Sequence, residues 1–506
     1  MHLPVCFFAV KRTRESAQLL RQKAKFKRQG SPVERVLDIL QGLKRKSESG
    51  AERENIGFMM EVIVSGDLYT VSMASSSGSQ GMNAQYSTFL RDGGAKEVIR
   101  KGLSVTKALG VGKKRARFGE QQAEVVNLDG EEGGDAESDG FPLKLSAELT
   151  WVQQLISSDD VCQALEDIDS WDFNVFDLDR ASNRHPILMV VLAFVRKFKL
   201  LSALPINANS LVRFLLGLEA GYKDVPFHNQ VHAADVTHGT AFFMLQSAVE
   251  KHLSPLDLYC MLLGAAMHDF EHPGFNNAFL VASRHDVAIR YNDHSVLENF
   301  HISSSWKLML DEACNPFAGF STEQVNEARA TMVYAILGTD MKYHFDHLTK
   351  FKTRLNAGAF EEPERKDTNQ LLAMCMHAAD VSNPAKRWEL SSEWSCRVME
   401  EFFRQGEREA ELSMPVSPFM DREKTDIGKC QAGFISVLIK PFFDEWTNFL
   451  GEGARHIYAN VEQNIKTWQE QGEAAIGDKA EKIHRREKWG DPPMFQSTPS
   501  KNGKKR

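Results

Sequence analysis

Apolar residues recur at helical spacing through the middle of the chain. Segments 187–198, 211–218, 256–267 and 396–403 carry apolar side chains three or four positions apart. This spacing places the apolar side chains on one face of an α-helix. The alternation of apolar and polar residues that is typical of β-strands is scarce. The pattern therefore predicts an all-α fold, with a compact multi-helix domain over residues 141–475.

The pattern is weaker towards both ends of the chain. Residues 32–44 have apolar side chains at helical spacing, but residues 74–83 are rich in serine and glycine, and residues 129–139 are acidic and glycine-rich. Segments like these last two, which are rich in serine and glycine or in acids and glycine, bury too little apolar surface to form a core. We therefore expect residues 1–140 to be a mostly irregular region that is regulatory or partly disordered, and residues 476–506 to be a charged, disordered tail.

Composition and charge narrow the kind of protein. The chain has 506 residues, 42% of them hydrophobic, and a net charge of -7. Because phosphate backbones are bound mainly by basic surfaces, this charge argues against nucleic acid as a partner. No apolar run approaches the roughly 18 residues of a membrane-spanning helix, so no transmembrane segment is expected. Scattered cysteines without a CxxC pair indicate reduced thiols, and these features together predict a cytoplasmic protein, with membrane association as the alternative.

The N-terminal region carries the candidate contacts with partner proteins. Residues 11–28 are rich in lysine, arginine and glutamine and contain a single acid, Glu15. Such a charge run is most often a solvated arm, but a basic helix with an apolar stripe also suits calmodulin or an anionic membrane. Ser47 follows three basic residues, which is the pattern of a basophilic kinase site. Calmodulin, a kinase and a second copy of the chain are therefore the candidate partners of this region.

Histidine and aspartate are concentrated in three short segments. These are residues 227–236 (FHNQVHAADV), 268–274 (HDFEHPG) and 377–380 (HAAD). The second and third follow apolar runs that should be buried, and a buried charge must be paired or bound to a metal. If the first segment is helical, His228 and His232 lie one turn apart on one face. A single His–Asp pair is often only a hydrogen bond, so the three segments together are the stronger signal.

The types of donor indicate what a metal at such a site would do. Imidazole and carboxylate donors without cysteine differ from a closed structural zinc site and suit a catalytic metal with an open position for water. A carboxylate such as that of Asp269 can bridge two metals, and two-metal sites suit the hydrolysis of phosphate esters. The second metal would have mostly oxygen ligands, which magnesium prefers.

These segments resemble the motifs of the class I cyclic nucleotide phosphodiesterases. The first signature of that family, Tyr-His-Asn-x-x-His-Ala-x-Asp-Val, matches residues 227–236 except that Phe227 replaces the tyrosine. The second signature, His-Asp-x-x-His-Pro-Gly-x-x-Asn, matches residues 268–277 throughout. Further matches follow in order through most of residues 227–450, at 292–299, 339–341, 377–384, 399–403 and 431–435.

The resemblance implies a two-metal centre. Zinc would be bound by four side chains, those of His232, His268, Asp269 and Asp380. Asp269 would also bridge to a second metal, magnesium or manganese. Three more side chains would order the waters on that metal, those of His272, Glu298 and Thr339. A hydroxide between the metals would attack phosphorus, and His228 would protonate the leaving 3′ oxygen as the general acid.

The resemblance also implies a nucleotide pocket. Gln431 would hydrogen-bond the edge of the purine, and because its amide can donate and accept, it suits either adenine or guanine. Phe434 would stack on one side of the base, and Val398 would contact the other side. Asn383 stands where family members that prefer cAMP carry asparagine. The matched motifs imply two further pocket residues, Met341 and Phe402.

The predicted protein is an all-α enzyme of the HD/phosphodiesterase type that hydrolyses a 3′,5′-cyclic nucleotide, with cAMP favoured, to the nucleoside 5′-monophosphate. Three alternatives remain open: dual hydrolysis of cAMP and cGMP, a broader HD-type phosphohydrolase, and an inactive nucleotide-binding scaffold. The phosphohydrolase would not need Gln431 and Phe434 in their motif. The scaffold would not need an intact set of metal ligands.

The departure from the family pattern at position 227 generates a prediction. Phe227 lacks the hydroxyl of the family tyrosine, and we expect that hydroxyl to help place the phosphate or its waters. Restoring it by Phe227→Tyr should therefore raise kcat/KM for cyclic-nucleotide hydrolysis by a few-fold, as one hydrogen bond of about 1 kcal/mol would. An unchanged kcat/KM would show that the hydroxyl has no such role.

Overall fold

The computed structural model describes residues 143–486, which all belong to one compact unit. Within this range the regular elements are all helices, so the predicted all-α fold is confirmed there. The predictions for the regulatory region 1–140, including the basic segment 11–28 and Ser47, lie outside the described residues. The last twenty residues of the predicted tail, 487–506, also lie outside them.

Twenty α-helices, α1 to α20, form the described part of the chain. In chain order they are Thr150–Ile156, Asp159–Leu165, Val175–Ala181, Pro186–Lys197, Leu200–Ala203, Ala208–Gly221, Gln230–Met244, Ser247–Glu250, Pro255–Met267, Asn277–Ala282, Asp286–Arg290, Val296–Leu308, Thr322–Leu337, His344–Asn356, Arg365–Asp380, Trp388–Glu411, Ile427–Phe434, Lys440–Leu450, Arg455–Gln471 and Asp478–His484. Short 3₁₀ turns connect several of them, and a π-helical segment, Ile435–Ile439, joins α17 to α18.

Helix α7 lies at the centre of the fold. All 15 of its residues are buried, because α4, α9 and α15 pack around it. Since its surroundings exclude water, a charged side chain on α7 is costly to bury unless it is paired within the protein or bound to a ligand. Two of these side chains, His232 and Asp235, take part in the polar clusters of the candidate site.

Capping side chains fix where the helices of the site begin. Asn229 caps α7 by accepting a hydrogen bond from the backbone N–H of Val231 at 2.9 Å. At α9, Ser254 and Asp257 form a capping box, and Pro255 occupies the first turn. These caps satisfy backbone N–H groups that have no partner within the helix. Each helix therefore starts at a defined residue, which determines which of its side chains face inward.

The helical part continues beyond the predicted boundary at residue 475. Helix α20 buries Ala480 and Ile483, and His484 Nδ1 donates to the carbonyl oxygen of Arg422 at 2.7 Å. The first residues of the predicted tail are therefore ordered by packing against the domain. Two apolar anchors among charged residues are too few to give a periodic pattern, so the sequence did not indicate this helix.

None of the helices within residues 143–486 combines the length and the apolar character that crossing a membrane requires. The six cysteines in this range are all free thiols, in agreement with the prediction of reduced cysteines.

A close helix contact at Gly406 generates a prediction on stability. Gly406 lies within α16, and a Cβ added there would overlap the carbonyl oxygen of Met420. Gly406→Ala should therefore lower the free energy of unfolding, measured by urea denaturation, by about 1–3 kcal/mol. The matched control is Gly433→Ala in α17, where no described atom lies within 4 Å of the added Cβ. Because alanine favours helix over glycine, the control should be neutral or stabilising; equal losses in both variants would contradict the contact.

Candidate active site

Four metal-type side chains from three helices converge at one buried point. His232 lies on α7, His268 caps the C-terminal end of α9 next to Asp269, and Asp380 is the last residue of α15. One ligand atom of each lies within 4.8 Å of those of the other three. His232 Nε2 is 3.2 Å from Asp380 Oδ1, and His268 Nε2 is 3.2 Å from Asp269 Oδ2. The structure thus brings together the four residues that the family resemblance assigns to zinc.

The hydrogen bond of His268 Nδ1 directs the other ring nitrogen, Nε2, towards the cluster. Its Nδ1 donates to the carbonyl oxygen of Ala265 at 2.8 Å, so in the neutral ring Nε2 carries the lone pair. This Nε2 is buried and faces both carboxylates of the cluster, 3.2 Å from Asp269 Oδ2 and 3.5 Å from Asp380 Oδ1. A set of two imidazoles and two carboxylates around such an atom fits zinc.

The two carboxyl groups of the cluster are ionised. Burial raises the pKa of Asp269, but the charge of His268 and hydrogen bonds from His232 and His268 outweigh burial and hold the pKa well below its usual range. The pKa of Asp380 is likewise raised by burial and lowered more strongly by hydrogen bonds from the same two histidines. The cluster therefore offers two negative charges to a divalent cation.

Asp269 also belongs to a second group of ligand atoms. Atoms of Asp269, His272 and His301 lie within 4.8 Å of one another, and His301 Nε2 is 3.5 Å from Asp269 Oδ1. A second cation could thus share the Asp269 carboxylate. The sequence analysis did not assign His301. It follows Glu298 by three residues on α12, and this helical spacing is the signal that could have found it.

Glu298 and Thr339, the other two residues predicted to act near the second metal, make local contacts. Both Glu298 oxygens accept from Asn277 Nδ2, at 3.2 and 3.1 Å. Burial and the neighbouring charge of Asp340 raise the pKa of Glu298 to about 8. Thr339 Oγ1 donates to the carbonyl oxygen of Ile336 at 2.8 Å, as a helix-end hydroxyl does. Their roles towards metal-bound water stay predictions.

Glu401 on α16 fixes the orientation of His228. One Glu401 oxygen accepts from the backbone N–H groups of Phe227 and His228, at 2.9 and 3.1 Å, and the other forms a short hydrogen bond with His228 Nδ1. Burial lowers the pKa of His228, but the charge and hydrogen bond of Glu401 outweigh burial and raise it to about 9. His228 is therefore protonated at neutral pH. The sequence analysis quoted Glu401 within a motif but could not pair it with a residue 173 positions away.

A pocket adjoins the metal cluster. Asp380 and His228 line it. All six residues predicted for the nucleotide pocket line it as well, namely Met341, Asn383, Val398, Phe402, Gln431 and Phe434. Several other lining residues, such as Trp394, Ser395 and Phe419, were not assigned from the sequence. The metal cluster and the predicted nucleotide pocket are thus parts of one site.

Two side chains that line this pocket, Ser395 and Phe227, contact residues of the predicted site. Ser395 Oγ donates to Gln431 Oε1 at 3.2 Å. Because a hydroxyl can donate or accept, this contact supports either orientation of the glutamine amide. The Phe227 ring lies with its centroid 4.7 Å from those of both His228 and His232. Phenylalanine at position 227 therefore preserves the packing between the two histidines.

Comparisons with known proteins agree with this site. Residues 227–461 match the family model described as 3′5′-cyclic nucleotide phosphodiesterase. The dual specificity calcium/calmodulin-dependent 3′,5′-cyclic nucleotide phosphodiesterase 1B of Bos taurus is 39% identical over 290 residues, which cover 57% of this chain and 53% of that protein. The 1C protein of Mus musculus, with the same description, is 38% identical over 291 residues, or 57% of this chain and 40% of that protein.

A solved structure of another protein is also similar to this chain. The structure of LmjPDEB1 in complex with IBMX matches with a TM-score of 0.59 and 28% identity, over 62% of this chain and 95% of that chain. The chain spans about half the length, or less, of the two curated relatives, 53% and 40%. The matched segment 227–461 contains the metal cluster, His228 and the six predicted pocket residues.

Proposed function

Because residues 227–461 belong to the 3′5′-cyclic nucleotide phosphodiesterase family, we propose that this chain hydrolyses a 3′,5′-cyclic nucleotide, cAMP in preference to cGMP, to the nucleoside 5′-monophosphate. The observation that carries the proposal is the position of Asp380, which belongs to the four-ligand cluster and also lines the pocket. A cyclic phosphate next to Asp380 would lie beside the metal ligands while its base fills the pocket. The metal ligands alone would support many reactions of phosphate esters. A pocket that shares Asp380 with these ligands favours a nucleotide diester as the substrate.

The proposed metals are zinc in the four-ligand cluster and magnesium or manganese beside it. Two imidazole nitrogens and two carboxylates suit zinc, and the remaining Asp269 oxygen, 3.5 Å from His301 Nε2, suits a second cation. When bound, such metals supply an activated water and neutralise charge on the phosphate. The protein itself contributes the spacing of the ligands and a buried setting in which their charges act strongly.

His228 is the proposed general acid. Glu401 binds its Nδ1, which leaves Nε2 to deliver a proton to the leaving 3′ oxygen. Because the pKa of His228 is raised to about 9, the ring carries that proton at neutral pH. Glu401 thus acts through His228, by orienting the ring and stabilising its charged form.

The preference for cAMP rests on Asn383 in the wall of the pocket. Its Nδ2 donates to Asp235 Oδ2 at 3.5 Å, which leaves the amide oxygen, an acceptor, for the base. The 6-amino group of adenine can donate to an acceptor, whereas the 6-oxo group of guanine cannot. Asn383 therefore favours adenine.

Dual hydrolysis of cAMP and cGMP is the second candidate. The hydroxyl of Ser395 supports either orientation of the Gln431 amide, so this residue by itself accepts both bases. The relatives described as dual specificity enzymes support the same alternative. A broader phosphohydrolase is less well supported, because it gives no reason for Gln431 and Phe434 to line the pocket beside the metals.

Hydrolysis assays with three proteins test the proposal. With magnesium, the wild-type chain should hydrolyse cAMP faster than cGMP, as followed by release of the 5′-monophosphate. Asp380→Ala removes a carboxylate from the cluster, so it should abolish hydrolysis and lower the zinc content measured by mass spectrometry. His228→Asn leaves the four ligands intact, so it should retain zinc while kcat falls by about 10²–10⁴-fold.

An exposed aspartate provides the matched control for these variants. Asp286→Ala alters a surface carboxylate of α11 and should leave both zinc content and kcat at wild-type values. Equal rates on the two nucleotides would replace the cAMP preference by dual specificity. A zinc-containing wild type that hydrolyses neither nucleotide would favour the broader phosphohydrolase, and a chain without zinc or turnover would favour the scaffold.

We propose that the basic segment 11–28 binds calmodulin when calcium is present. Its composition supports this contact, and so does the description of the relatives as calcium/calmodulin-dependent. The segment lies outside the described residues, so the proposal rests on sequence and similarity alone.

Charge reversal tests the calmodulin contact. Replacing the lysines and arginines of residues 11–28 by glutamate should abolish calcium-dependent retention of the full chain on immobilised calmodulin, because that contact needs a basic surface. The matched control is the same replacement in the second basic cluster, residues 113–117, which should not alter retention. Equal retention of both variants, or retention that persists in a calcium chelator, would contradict the proposal.

A further inference from the structure

The helix that carries Gln431 is short and depends on contacts from other parts of the chain. Helix α17, Ile427–Phe434, has eight residues, and its Gln431 and Phe434 line the pocket. A helix of this length is marginal by itself, because the first turn fixes several residues for one hydrogen bond. Only about one turn separates Ile427 from Gln431. A movement at the start of α17 would therefore also move the Gln431 amide.

Glu473 caps the start of this helix from a distant part of the chain. The backbone N–H of Ile427 donates to Glu473 Oε1 at 2.7 Å, across 46 positions of sequence. The first N–H groups of a helix have no partner within it, and a carboxylate there also complements the helix dipole. Asp426 serves a different group, because it accepts from the backbone N–H of Lys429 at 2.9 Å. Glu473 lies outside the segment 227–461 that matches the family.

Two glycines bring the backbone of Glu473 close to α17. A Cβ added at Gly428 would lie 2.6 Å from Gly472 Cα and 3.0 Å from the backbone nitrogen of Glu473. A side chain at position 428 would therefore push the two segments apart. Gly472 has φ 54° and ψ -138°, a conformation that glycine adopts far more readily than other residues. This close contact lets the Glu473 side chain reach the N–H of Ile427.

His484 on α20 orients the Glu473 carboxylate. Its Nε2 lies 3.1 Å from Glu473 Oε1, and its Nδ1 donates to the carbonyl oxygen of Arg422 at 2.7 Å. A neutral imidazole has one N–H, so both contacts are hydrogen bonds only when the ring is protonated. Arg422 Nη1 donates to the carbonyl oxygen of Ile483 at 2.6 Å. Helix α20 thus contacts both Glu473 and the loop that precedes α17.

We propose that Glu473, oriented by His484, is a positioning residue for binding of the purine base. It acts through the backbone N–H of Ile427, and so sets the position of Gln431 without touching the nucleotide. Because Gln431 binds the base and the reaction takes place at the metal cluster, Glu473 contributes to KM and not to kcat. This inference rests on the proposed function, and it adds to base recognition a residue outside the matched segment.

Two substitutions of Glu473 provide the direct test. In Glu473→Ala, KM for cAMP should rise roughly fivefold, as the loss of one capping hydrogen bond would predict. Zinc content and kcat should stay at wild-type values, which a general loss of structure would not allow. Glu473→Gln keeps a side-chain oxygen that can accept from the N–H of Ile427, so its KM should lie closer to the wild-type value.

A variant of His484 and a matched control complete the design. His484→Ala removes the ring that orients the carboxylate but keeps the cap, so KM should rise by a smaller factor than in Glu473→Ala. Glu470→Ala makes the same change of side chain three residues earlier, at an exposed glutamate of α19 whose Oε1 lies 3.9 Å from Lys466 Nζ. This control should leave KM at the wild-type value.

The outcomes separate this inference from the proposed function. An active wild type, with KM in Glu473→Ala equal to that in Glu470→Ala, would overturn the role of Glu473 and leave the function intact. A fall of kcat and zinc content at unchanged KM would do the same. A wild type that hydrolyses neither nucleotide would overturn both. If Glu473→Ala does not fold, His484→Ala decides, because a KM equal to that of Glu470→Ala would overturn the inference.

Discussion

The burial of two carboxylates beside two imidazoles is the constraint on which the rest of this structure depends. Asp269 and Asp380 would be costly to bury alone, because charged groups lose their hydration inside a protein. His232 and His268 offset part of this cost, and a divalent cation would offset the remainder. His268 and Asp380 stand at the C-terminal ends of α9 and α15, where the helix dipoles also favour a positive charge. The three helices must therefore meet at this point and keep their relative positions.

Three histidines of the site are oriented in the same way, by a hydrogen bond from Nδ1 to an oxygen atom. His268 Nδ1 bonds the carbonyl of Ala265, His301 Nδ1 bonds the carbonyl of Phe270, and His228 Nδ1 bonds the carboxylate of Glu401. In each ring the second nitrogen is left for the reaction centre. The difference lies in the partner. A carbonyl accepts the Nδ1 proton, so that the neutral ring can offer the lone pair of Nε2 to a metal, whereas the carboxylate of Glu401 favours the charged ring that an acid needs.

The pocket depends on a second buried charge pair. Asp235 lies one turn after His232 on α7, so one helix supplies a ligand to the metal cluster and a carboxylate to the wall of the pocket. Any shift of α7 would move both. Two polar side chains of this completely buried helix, His232 and Asp235, are thus each paired with an ionisable side chain from another part of the chain.

The sequence by itself determined the all-α fold, the clustering of histidine and aspartate after apolar runs, and the residues that meet at the metal cluster and in the pocket. These features are local, because helical spacing and motifs are read within one segment at a time. The tertiary structure alone decided the partners of these residues: Glu401 for His228, Lys386 for Asp235, and Trp171 for Ala385. It also extended the domain to α20, whose two apolar anchors become buried only against the rest of the fold. Such contacts join residues far apart in the chain, and their strength comes from burial, which a local pattern does not contain.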